Sequence, residues 1–254
     1  MIVFLLAVFG MFFATLGMIE IAYRFGLRHW SKLPEASRNV SSTIEGSIFS
    51  LMALLIGFSF YGAGARFDNR RSIVGLEANT MSTAYLRLDL LPQASQLALR
   101  ELFRQYVRCR IDVLNSVSNP EKLREGRART SVLQHNIWDQ AVAAAKESGP
   151  AVQTLVVSSL NEMIDITTTS AVAAMTHPPL AVFLMLFVSI AASAGVIGYS
   201  AAARRSRDWV SIAAFALILS AAVYVTIDYE YPRFGLIRID PIDRVLTNTL
   251  DNMK

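Results

Sequence analysis

This sequence has little charge and almost no cysteine. Asp, Glu, Lys and Arg make up 17% of its 254 residues, where a soluble domain carries about 25%. The single cysteine, Cys109, excludes an internal disulfide and every paired-cysteine metal or redox motif. It sits in an apolar helical pattern and is expected to be buried. His29, His135 and His177 lie in separate segments, so they form no metal set by spacing. The acids Glu162 and Asp165, and Asp228, Glu230, Asp240 and Asp243, lack the loop spacing of a calcium site. Phosphate-binding and dinucleotide-binding glycine patterns are missing. So is any basic cluster interleaved with aromatics that would point to nucleic acid; the formal charge is only +4. No cofactor is expected.

The charge deficit is concentrated in four blocks. Ile2–Tyr23 contains one charge, Glu20, while Gly46–Ala65, Pro178–Ala203 and Trp209–Ile227 contain none. Each reaches the roughly 20 residues that cross about 30 Å of hydrocarbon, so four transmembrane helices are expected. The first block has no basic segment before it and is followed by positive charge, which marks a retained helix rather than a secretory signal. Arg24 stands one turn after Glu20, and an i,i+4 pair accounts for that acid. Trp30 reads as an interfacial anchor and Pro34 as a helix stop. Gly57, Gly62 and Gly64 make the end of the second span small-featured, which suits close helix approach. Arg204, Arg205 and Arg207 mark a very short connection between spans three and four.

Between spans two and three the pattern is helical throughout. Arg66–Leu91 continues the second span without a turn signal until Pro92. Leu99, Leu102, Tyr106, Cys109 and Val113 recur at alternating spacings of 3 and 4, one buried stripe. Leu133, Ile137, Ala141 and Ala144 share a face of the next helix, ended by Gly149-Pro150. Val152, Val156, Leu160, Met163 and Ile164 follow. The expected fold is all-α, a polytopic membrane protein with a helical extramembrane bundle inserted between helices two and three. Residues 1–65 carry spans one and two, 66–177 the bundle, 178–227 spans three and four, and 228–254 an extramembrane tail in which Leu236–Ile239 could be extended. Arg100, Arg104 and Arg108 form a basic stripe that could meet anions or lipid headgroups, although a solvated face beside Glu101 accounts for it too.

Catalysis within the membrane needs paired carboxylates, a metal set or a nucleophile with its base. Only Glu20 is ionisable inside a span, so no catalytic residues are assigned. Proton-coupled transport usually needs buried carboxylates or histidines in the pathway, and these are missing. Passive permeation and a non-conducting assembly or signalling role are left. A pore can gate by apolar constriction without charged residues, and Leu54 and Phe58 stand four apart on the second span.

Gly57-Phe58, followed by Arg66-Phe67-x-Asn69, resembles the bestrophins, which show Gly-Phe near the end of their second span and Arg-Trp-Trp-Asn at the same distance. Arg66-Phe67-Asp68-Asn69-Arg70-Arg71, Glu77-Ala78-Asn79, Thr83-Ala84-Tyr85-Leu86-Arg87-Leu88 and Pro232-x-x-Gly235-x-Ile237-Arg238 are similar to a bacterial bestrophin-like family. The resemblance implies a bacterial inner-membrane homo-oligomer, a pentamer as in the bestrophins, that passes small ions, anions first, through an apolar neck on the second span. Carried over by the Gly-Phe alignment, the neck positions are Ser50, Leu54 and Phe58; Ser50 departs from an apolar neck. Gly57, Arg66, Phe67 and Asn69 carry the joint between span and bundle. The acidic calcium-sensing cluster of the bestrophins has no counterpart, so calcium gating is not implied. Seven basic residues flank the spans in the two short connections against six on the other face, which puts the bundle outside the cytoplasm; the resemblance puts it inside.

Overall fold

A computed structural model describes residues 2–31, 42–233, 235–237 and 240–253, and these form helices and no strand. The order is α1 (Ile2–Trp30), α2 (Ser42–Arg87), a 3-10 turn (Leu88–Leu90), α3 (Gln93–Asn115), α4 (Pro120–Glu147), α5 (Pro150–Met175), α6 (Leu180–Ala203), α7 (Trp209–Glu230) and α8 (Asp240–Asp251). α1, α2, α6 and α7 each hold a stretch long and apolar enough to cross a membrane. Local chemistry sets the breaks. Asn119 caps α4 by accepting from the backbone N–H of Glu121 (3.2 Å) and Lys122 (3.1 Å), with Pro120 in the first turn. Gly149, at φ +90°, supplies the turn into α5. Asp208 caps α7 through the N–H groups of Val210 and Ser211, and its bond from the Ser211 hydroxyl holds its carboxyl below the usual range. Arg204 to Asp208 thus turn α6 into α7, with Arg205 at φ 50°. Nothing breaks α2 between the apolar run and Arg66-Phe67-Asp68, so it continues for 46 residues.

The chain divides into two compact units, Met1–Phe67 with His177–Leu236, and Asp68–Thr176 with Ile237–Lys254. In the first, α1 and α6 lie in backbone contact. Ala194, Gly198 and Ala202 recur every four residues and are all buried. A Cβ at Gly198 would collide with the Ile19 carbonyl oxygen and come within 2.9 Å of Ala22 Cβ, and one at Gly26 would meet Ala202 Cβ at 2.7 Å. Within the chain, close approach through small residues is therefore made by α6 and α1. A side chain added at Gly57 or Gly64 of α2 would meet nothing within 4 Å, because those glycines share no face with the packed stripe. Trp30 is buried within the chain, its indole donating to the Tyr199 carbonyl at 3.2 Å. Glu20 pairs with Arg24 at 2.7 Å, as expected, and with Arg207 at 2.9 Å. Pro34 lies outside the described residues.

The second unit has one apolar core. Leu99, Phe103, Tyr106, Val107 and Cys109 of α3 meet Leu133, Ile137 and Ala141 of α4 and Val156, Leu160 and Met163 of α5. Leu102, expected in the α3 stripe, is only partly buried, and Phe103 takes the deeper place. Cys109 is buried, its thiol 3.4 Å from the Gly126 carbonyl. Residues 228–254 are not one tail. Asp228–Glu230 close α7, while Leu246 of α8 and Met253 after it enter the core of the second unit. Gly235–Ile237 form bends rather than a strand, and residues 238–239 lie outside the described residues.

Replacing Gly198 with Val should force α1 and α6 apart at a cost of about 1–3 kcal/mol or more. The expected result is a lower melting temperature and a broadened gel-filtration profile in detergent. Gly195→Val, where an added Cβ meets nothing within 4 Å, should leave both unchanged.

Candidate functional site

Two faces of α2 differ in the first unit. Met52, Ile56, Ser59, Ala63 and Arg66 follow helical spacing along the packed side; Met52 joins Leu186, Ile190, Leu219 and Val223 in a core. The opposite side is exposed. It carries Ser47, Ser50, Leu54, Gly57, Phe58, Tyr61 and Ala65, all exposed, with Leu54 at 52% and Phe58 at 64%. Ser50, Leu54 and Phe58 are thus together on the exposed face, one turn apart each. The Ser50 hydroxyl donates to the Gly46 carbonyl at 2.8 Å. The exposed residues of the other spans are mostly apolar, among them Phe9, Phe13 and Ile21 on α1, Leu184, Met185 and Val188 on α6, and Leu217 and Ile218 on α7; Gly10 and Gly17 of α1 and Ser211 in the first turn of α7 are exposed as well.

Below that face a buried acid gathers three segments. Glu230, at the end of α7, is 2% exposed. Arg66 Nε of α2 donates to its Oε2 at 2.8 Å, and His177 Nδ1 lies 2.8 Å from its Oε1. His177 stacks on Tyr231 with ring centroids 4.9 Å apart. Tyr229 takes Phe67 (5.2 Å) and Phe60 (5.5 Å) edge-on. Asp228, fully buried, accepts from the Leu236 N–H at 3.0 Å, and Gly235 abuts that carboxylate so closely that no Cβ would fit. Arg66 and Phe67 of the joint motif are therefore packing residues of this cluster, whereas Gly57 is in open space and Asn69 is exposed. Nothing in the sequence pairs Glu230 with Arg66 or with His177. The only available signal was that Asp228-Tyr229-Glu230 places acids at the end of an apolar span. Among the described residues no group of three or more His, Cys, Asp or Glu side chains could hold a metal.

The basic stripe of α3 meets acids. Arg100 pairs with Asp89 and lies over the Tyr85 ring, while Arg104 (2.9 Å) and Arg108 (3.9 Å) both reach Glu101. Hydrogen bonds from Arg104 and then Gln105 hold the Glu101 carboxyl below its usual range. Deeper in the second unit, Glu77 of α2 and Arg110 of α3 form a buried ion pair of 2.6 Å. Burial alone would lower Arg110, but the Glu77 charge and hydrogen bond outweigh it and raise the guanidinium above its ordinary value. Beside them, burial and then the Glu77 charge push the Tyr106 hydroxyl up to about 12.

Two measurements test these assignments. Arg66→Ala should cost about 3 kcal/mol, since it strands a buried carboxylate. Glu230→Gln should cost less, because Arg66 is partly exposed and can turn to solvent; equal melting temperatures for the two variants would contradict this ordering. Tyr106 binds its proton more tightly folded than unfolded. Its contribution is therefore intact below about pH 10 and falls as pH rises toward 12. Tyr106→Phe should flatten that alkaline loss in a stability-against-pH profile.

Comparison with known proteins follows the same lines. The family described as Bestrophin-like domain matches residues 21–243. Comparison with curated proteins returns no match. Among solved structures, one mutant of a bacterial bestrophin homologue from Klebsiella pneumoniae is similar at a TM-score of 0.71 and 12% identity, covering 97% of this chain and 98% of that one. A second mutant of a Klebsiella pneumoniae homologue gives 0.71 at 13% identity, covering 97% of each chain. A third gives 0.68 at 13%, covering 96% of this chain and 99% of that one. The likeness is one of fold.

Proposed function

The chain belongs to the bestrophin-like family, and from that premise we propose that it is an oligomeric ion channel, anion-conducting, whose pore is lined by α2. One observation carries the reading. The exposed face of α2 interleaves Ser50, Gly57 and Tyr61 with Leu54 and Phe58, while the exposed residues between Leu6 and Ile21 of α1, between Leu180 and Ala203 of α6 and between Ala214 and Glu230 of α7 carry no hydroxyl. Lipid suits the second kind of surface. The first suits water or a second copy of the same helix. Leu54 and Phe58 then form an apolar neck that passes ions only when wetted, with Ser50 a polar ring next to it.

One α2 cannot enclose a lumen, so the reading requires several copies; a pentamer matches the bestrophins. The length of α2 supports placing its distal part outside the bilayer. Its 46 residues span about 69 Å, more than twice the hydrocarbon thickness of about 30 Å. Residues 66–177 then form an extramembrane bundle, joined by α8, on a protein of the bacterial inner membrane. Arg66 and Phe67, fixed by Glu230 and Tyr229, form the collar at the joint with Gly57 and Asn69. Arg100, Arg104 and Arg108 supply a basic face toward anions or headgroups, tempered by Asp89 and Glu101.

Purified protein in liposomes should leak chloride faster than empty vesicles. Leu54→Ala and Phe58→Ala should raise that flux severalfold without changing the melting temperature, since both side chains are exposed. No leak from wild type and both variants alike, or a monomer by native mass measurement, would reject the channel. The protein would then be a non-conducting assembly or signalling module.

A further inference from the structure

A cleft of about 270 Å³ opens in the second unit between α3, α4 and α5. Of its lining residues only two are ionisable, Arg110 and Arg127, and both are cations. Arg110 is 5% exposed and its Nε is spent on Glu77. Neither of its Nη nitrogens is hydrogen-bonded among the described residues. Glu77 balances that charge from behind, outside the lining. Arg127, half-buried at the wall, pairs with no carboxylate among the described residues, so the cleft keeps one unanswered positive charge. A buried arginine is costly to install, and one held from behind by a carboxylate presents a rigid fork of donors.

The other walls divide by chemistry. Gln134 donates to Thr167 Oγ1 at 3.2 Å and to the Tyr106 hydroxyl at 3.4 Å, which fixes a polar wall. Val113 and Leu114 of α3, with Val117 in the turn after it, make an apolar one. We infer that this cleft is a binding site for a small organic carboxylate, its head on Arg110 and Arg127 and its short apolar body along α3. Ligand pockets usually begin near 300 Å³, so the occupant has only a few carbons. A bare inorganic anion leaves the apolar wall unused, and a neutral molecule leaves Arg127 unanswered. The site does not depend on whether the protein conducts.

The test is calorimetric titration of the full chain in detergent with butyrate, with butanol and inorganic phosphate as matched probes. Butyrate should bind saturably with Kd at or below about 1 mM, a modest affinity for one ion pair and a few methylenes. Butanol should bind at least about tenfold more weakly. Arg127→Ala should weaken butyrate by about tenfold at unchanged melting temperature. The double variant Glu77→Leu with Arg110→Met replaces the buried pair by apolar groups of similar size, which such sites commonly tolerate, and should abolish saturation. Three results would overturn the proposal: no saturable butyrate binding to the wild type, butanol binding as tightly as butyrate, or an unchanged affinity in Arg127→Ala. Phosphate binding in preference to butyrate would overturn the organic class. If the double variant does not fold, Arg127→Ala decides alone.

Discussion

A carboxylate removed from water must have its charge and lone pairs answered nearby, or the fold loses several kcal/mol. Glu230 imposes that demand on the first unit. It stands where an apolar helix ends, 2% exposed, and its two oxygens are met by Arg66 from α2 and His177 from the segment before α6. Three segments far apart in sequence are thereby fixed at one point. The neighbouring residues extend the arrangement: Tyr229 is held edge-on by Phe60 and Phe67, and Asp228 ties the turn after α7 to its own end through Leu236. Pro232, buried in that turn, keeps α7 from continuing. The packing around the end of α7 thus follows from two acids at the end of an otherwise uncharged span.

α2 answers a second buried charge of the opposite sign. Glu77 lies eleven residues after Arg66, about three helical turns, so the two project from the same side of the helix. That side reads Met52, Ile56, Ser59, Ala63, Arg66, Arg70, Ile73, Glu77, Met81 and Tyr85, unbroken in helical spacing while its chemistry changes. The apolar part packs among spans; Arg70 donates to the carbonyls of Ala173 (3.0 Å) and Thr176 (2.8 Å) at the end of α5; Glu77 holds Arg110. Sheer continuity of the stripe explains how one helix can run 46 residues without a break. Every turn of it is paid for by burial on the same face.

This is also why the sequence is legible in some places and silent in others. Spans and the α3–α4 core are written in local periodicity: Leu133, Ile137, Ala141 and Ala144 share a face because of spacing alone, and all four are buried. Pairings across long separations leave no such trace. Arg66 and Glu230 are 164 residues apart, and nothing near Arg66 distinguishes that partner from any other acid. Trp30 looks like an interfacial residue by type, and only the approach of Tyr199 makes it a buried one. The small residues of α2 draw attention by number, yet those of α6 make the contact, because Ala194, Gly198 and Ala202 fall on one line. Helix α8 is signalled only by Leu246, Leu250 and Met253, too short a pattern beside Pro241 to stand on its own.

The exposed face of α2 bears on the proposed pore through its composition. A helix side in contact with acyl chains gains nothing from a hydroxyl and loses packing at a glycine. Ser50 and Tyr61 on one side of α2 therefore suit lipid poorly, although Leu54 and Phe58 would suit it well. The exposed residues of α6, apolar from Leu180 to Ala192, are the kind of surface that suits lipid. In the proposed oligomer α2 repeats around an axis, so that Leu54 and Phe58 meet their own copies as rings and the hydroxyls meet water or each other. Arg66 supports that arrangement indirectly. Held by Glu230 on the packed side, it keeps its charge off the exposed face, so the ring positions stay uncharged up to the point where the helix leaves the apolar run.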